Sequence, residues 1–125
     1  MKLNILVTDK NIHEAKPQTK CFCPIALAVM DESLNHGAKL NRLGKPDCFA
    51  SIDHEKGRME FTNVETGESA CVEFPLPKEA RQFIRDRDEK KAVKPFRFST
   101  TAKPWEKGTA LNFGFDPNKG RSFTP

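Results

Sequence analysis

Three short segments of alternating apolar and polar residues, joined by turns that contain glycine, constrain this chain more than any other feature. Residues 48 to 54 set Cys48, Ala50 and Ile52 against Phe49, Ser51 and Asp53. Glu55-Lys56-Gly57 reads as a turn into Arg58-Met59-Glu60-Phe61-Thr62, with Met59 and Phe61 on one side. Glu65-Thr66-Gly67-Glu68 turns again into Ala70-Cys71-Val72-Glu73-Phe74. Side chains alternate faces along a strand, so this pattern predicts an antiparallel three-strand meander with one face buried and one wet.

Two helices and two flanking strands are read around it. Leu3, Ile5 and Val7 alternate as a first strand, and Thr8 and Asp9 are placed to cap a short helical turn through Ile12, closed by Pro17. Pro24 to Met30 is apolar on most sides and ends at Asn35-His36-Gly37, which predicts a buried helix over 24–35 with Gly37 left-handed after it. Residues 78–91 carry Ala80, Phe83 and Ile84 among many charges, an amphipathic helix with Pro77 in its first turn. Pro95-Phe96-Arg97-Phe98-Ser99 returns to period two as an edge strand, with Phe96 and Phe98 facing the core, and a weak strand is placed near 39–43. The fold class is α+β: an antiparallel sheet, the meander plus flanking strands, with one buried and one amphipathic helix. Residues 1–99 form the core domain and residues 100–125 an aromatic-basic arm.

Composition bears on partners. No stretch approaches the ~20 apolar residues of a membrane span, and the amino terminus has no secretory pattern, so a cytoplasmic protein with free thiols is expected. The net charge of +4 is carried unevenly: residues 1–93 hold 15 basic and 15 acidic residues, so the excess lies after position 93.

Chemistry-bearing residues are sparse. Cys21-Phe22-Cys23 resembles half of a zinc knuckle, and Cys48 and Cys71 stand singly, so a zinc-stabilised module is one alternative. A reactive thiolate at a helix start is another. The preferred reading has Cys23 capping the helix that Pro24 begins. His13, His36 and His54 fall on separate elements without ligand spacing, and neither a serine elbow nor a glycine-rich phosphate loop is present. No catalytic residue, metal or cofactor is therefore assigned. The functional signal lies in the interleaving of rings and cations near the end: Arg97, Lys103, Trp105, Lys107, Phe113, Phe115, Lys119 and Arg121. Rings that stack on bases beside cations that meet phosphates suit a nucleotide-like ligand or single-stranded nucleic acid, and Trp and Arg equally suit a protein partner. The arm also leaves room for self-association.

In Val7-Thr8 with the turn to Ile12, Cys23-Pro24-Ile25-Ala26-Leu27-Ala28, Leu76-Pro77 ahead of Phe83-Ile84, and Lys94-Pro95-Phe96-Arg97-Phe98, the chain resembles a group of small phage-encoded proteins of uncharacterised function. The resemblance spans residues 3 to 98, and the tail departs from it. It implies a virus-encoded protein acting in the host cytoplasm, without transferring any catalytic residue. The expected function is a non-enzymatic binding protein that inhibits a host factor or defence system, or sequesters a nucleotide-like signal. The alternative is a small single-stranded nucleic-acid-binding protein.

Overall fold

A computed structural model describes residues 1–16 and 22–104. Among these residues, three α-helices and six strands form an α+β fold with two antiparallel sheets. The meander is present: β2 (Cys48–Ile52), β3 (Lys56–Thr62) and β4 (Ser69–Pro75) pair in sequence. The flanking strands do not simply widen it. β1 (Lys2–Val7) pairs with β5 (Phe96–Thr101) as a separate two-stranded ribbon, in the register Lys2↔Thr101 to Val7↔Phe96. β6 (Lys103–Pro104) instead joins the meander on β4, giving the order β2-β3-β4-β6. The chain thus stays in the fold past position 99: Thr100 donates from Oγ1 to the Pro75 carbonyl at 2.7 Å, and Ala102 is buried.

Local chemistry explains the element ends. Thr8 and Asn11 form a reciprocal capping box at α1 (Asp9–Glu14), with Asn11 N–H donating to Thr8 Oγ1 at 3.1 Å and Thr8 N–H to Asn11 Oδ1 at 2.8 Å. The buried Asn11 amide also donates to Asp31 Oδ2 at 3.1 Å, fastening α1 to α2 (Pro24–Ser33). A 3-10 turn, Leu34–His36, extends α2 and stops at Gly37, whose φ of 104° lies in the left-handed region that favours glycine. α3 (Lys78–Asp88) begins where its charge pattern predicts but ends sooner, with Pro77 as N-cap rather than inside the first turn. It ends where Lys90 takes a φ of 62°, letting Lys91 N–H reach back to the Asp86 carbonyl at 2.8 Å.

Two readings are corrected by the meander and its neighbour. Gly57 is a residue of β3 opposite Ile52, not part of the turn. The turn is tighter because Asp53 Oδ1 accepts both Glu55 N–H at 2.8 Å and Lys56 N–H at 2.7 Å. Near 39–43 there is no strand, only an isolated bridge between Leu40 and Pro46, because Asn41 and Gly44 close that segment into a loop.

One core joins both sheets. Leu3, Ile5 and Val7 from β1, Ile25 and Val29 from α2, and Met59 and Phe74 from the meander are all within 1% of full burial. Phe83 of α3 meets Phe96 at 4.8 Å between ring centroids, and Phe96 meets Phe98 at 5.7 Å, so those two β5 rings serve packing. Among the described residues, no helix is long and apolar enough to cross a membrane.

Candidate functional site

Of the residues the sequence nominates for contact, Arg97 and Lys103 are described, and both are exposed. They belong to different sheets: Arg97 stands opposite Leu6 in the ribbon, and Lys103 opposite Glu73 at the edge of the meander. Trp105, Lys107, Phe113, Phe115, Lys119 and Arg121 lie outside the described residues.

The cysteines occupy separate environments. Cys23 caps α2, its sulfur accepting Ala26 N–H at 3.4 Å; burial pushes this thiol's pKa up, against any thiolate at the helix start. Cys48 lies on the core-facing side of β2 against Ser33, and burial pushes its pKa up to about 12. Cys71 stands opposite Glu60 on the other face of the meander, raised to about 11 by burial first and Glu60 second. Cys48 and Cys71 therefore cannot reach one ion, and Cys21 is outside the described residues. Among the described residues no three His, Cys, Asp or Glu side chains are grouped as a metal site. His13 Nδ1 sits 2.8 Å from the Asp9 carbonyl and His36 Nε2 is 3.0 Å from Glu32 Oε2, each spent on its own helix.

The sequence missed an apolar groove. Asn41 organises residues 41–45 by accepting Leu43 N–H at 2.8 Å and Lys45 N–H at 3.1 Å on its side-chain oxygen, while Gly44 adopts a φ of 76°. The loop so formed turns its leucines outward: Leu40 is 56% exposed and Leu43 84%. Across from them stand Phe22, 48% exposed, and Leu34, 39% exposed, with half-buried Leu27 and Met30 of α2 as the floor. Together they line a groove of 630 Å³. Of seven large apolar side chains exposed among the described residues, four belong to it, which distinguishes a patch from scattered surface leucines. On the rim, Lys45 pairs with Glu14 at 3.7 Å, and Asp31 is held by Asn11. Lys10 and Lys45 face Glu14 and Asp31 around the groove, so its charged lining is balanced. Two leucines inside a loop otherwise made of Asn, Arg, Gly and Lys were the available signal.

A second concavity lies at the other end of α2. A cleft of 390 Å³ opens between the start of α2, the β2–β3 turn and α3. Its floor is Ile25, Ile52, Phe83 and Ile84, and its lip carries His54, Arg87 and Asp88. Arg87 is near enough for its charge to act on the Cys23 sulfur. No family profile, curated protein or solved structure matches the chain.

Proposed function

We propose that the protein is a non-enzymatic binding protein that docks on a partner protein through the groove between α1, α2 and the 39–47 loop. The observation that carries this reading is the convergence of Phe22, Leu34, Leu40 and Leu43 on one groove. Covering a leucine that solvent now reaches is worth about 1.5–3 kcal/mol, and Met30 supplies a floor that adapts in shape. The apolar lining inside a charge-balanced rim favours an apolar helix or loop of the partner. Resemblance to phage-encoded proteins supports a host factor as the partner and the host cytoplasm as the place. Arg97, Lys103 and the aromatic-basic residues beyond Pro104 form a proposed second contact, through which a single-stranded nucleic acid is the alternative ligand.

The test is affinity capture from host lysate with the full chain, its Leu43→Glu variant and its Arg97→Glu variant. The groove reading expects Leu43→Glu to lose the partner at least about tenfold in affinity and Arg97→Glu to keep it. Equal capture by all three proteins would sink it. A single-stranded oligonucleotide bound with steep salt dependence and sensitivity to Arg97→Glu would favour the alternative.

A further inference from the structure

We propose that the cleft between α2, the β2–β3 turn and α3 is a binding site for a small zwitterion, an α-amino acid with an apolar side chain. The cleft stands apart from the protein-docking groove and shares no lining residue with it, each using different residues of α2. Its volume of 390 Å³ lies within the ~300–1,000 Å³ of small-molecule sites. The floor is aliphatic and aromatic: Ile25, Ile52 and Phe83 are buried, and Ile84 is half-buried beside them. Such a floor accepts a side chain the size of leucine or phenylalanine and offers nothing to a polar one.

The lip supplies opposite charges that are not spent on each other. Arg87 and Asp88 are consecutive on α3, and consecutive helical positions project about 100° apart, so they flank the mouth instead of pairing. Neither forms an ion pair or side-chain hydrogen bond among the described residues. The third charged group, Asp53, has a carboxylate oxygen that accepts two backbone N–H groups of the β2–β3 turn. A guanidinium is suited to a carboxylate and the Asp88 carboxylate to an ammonium, with the apolar body between them. A plain anion fits less well, since Asp53 and Asp88 outnumber Arg87 in this cleft and would repel it.

The experiment is calorimetric titration of the full chain with L-leucine and L-phenylalanine, repeated with N-acetyl-L-phenylalanine and L-phenylalanine amide. Saturable binding of at least one free amino acid is expected, weakened at least tenfold by either blocking group. Arg87→Gln should weaken the free amino acid at least tenfold and lose the distinction between acid and amide. Asp88→Asn should lose the distinction between free and acetylated amine. Asp88 is exposed and Arg87 half-buried, and an unchanged thermal midpoint checks that the variants fold. No saturable binding of either amino acid overturns the proposal, as does binding that neither substitution changes. N-acetyl-L-phenylalanine binding as tightly as phenylalanine also overturns it, in favour of a simple anion site.

Discussion

Asn63 donates from its side-chain nitrogen to the His36 carbonyl at 3.2 Å, joining the β3–β4 turn to the end of α2. Its oxygen accepts Glu65 N–H at 2.8 Å and Thr66 N–H at 3.0 Å, so the amide is fixed from both ends. A Cβ at position 37 would run into that same amide, at a backbone φ of 104°. Gly37→Ala should therefore destabilise the protein by about 1–3 kcal/mol from the backbone conformation, with the collision added. Urea unfolding measures it. An unchanged midpoint would mean that the turn and α2 are not coupled here.

Gly57 makes a second prediction on different grounds, since no positive φ is involved. A Cβ there would meet Phe74 at 2.5 Å and Ile52 at 2.7 Å, and both side chains are buried in the core with nowhere to retreat. Gly57→Ala should cost about 1–3 kcal/mol, the range of overpacking, and should lower the thermal midpoint. Gly67→Ala, where a Cβ has open space, should be milder than Gly37→Ala, since only its φ of 76° opposes it.

The cap on α2 is tested by a pair of substitutions. Cys23→Ala removes the acceptor of Ala26 N–H and should cost ~1 kcal/mol, whereas Cys23→Ser keeps an acceptor at the same place. Equilibrium unfolding should rank the serine variant above the alanine variant. The reverse order would show that the thiol matters for packing more than for capping.

Burial of Cys48 predicts a pH dependence. Its thiol has a pKa of about 12 in the fold against 9.0 for the ordinary group, so above pH 9 the unfolded chain gives up this proton while the folded chain keeps it. Stability linked to Cys48 is complete below pH 9 and is lost as pH rises toward 12. Denaturant midpoints at pH 8 and pH 10.5 should fall further for the wild type than for Cys48→Ala. Equal falls would remove Cys48 as the cause.

Much of the architecture is written in local sequence, and the reasons are physical. Alternation in 48–74 specifies the meander because burial of Ala50, Met59 and Val72 fixes one register face. Cys23-Pro24 marks the start of α2 because proline needs no N–H partner at that position. Strand partners were less legible: nothing near Leu3 announces that Thr100 will lie opposite, so the separate β1–β5 ribbon could not be read. Gly57 looked like a turn residue because sequence carries no trace of the Phe74 ring that covers it. The groove escaped for a related cause. In sequence Leu40 and Leu43 read as weak strand residues, while the bonds of Asn41 make them loop residues that face outward.

The ribbon has a further consequence, for the order in which the chain acquires its structure. The meander closes through turns of a few residues, but Asn4 and Ser99, hydrogen-bonded across the ribbon at 2.8 Å, are 95 positions apart. Loop closure over such a span carries an entropic cost that local hairpins do not meet, and non-local pairings form slowly. The meander and α2 are therefore expected to assemble before β1 captures residues 96–101. Until then the backbone of β1 lacks its ladder partner, an open strand edge beside the apolar face that α2 covers.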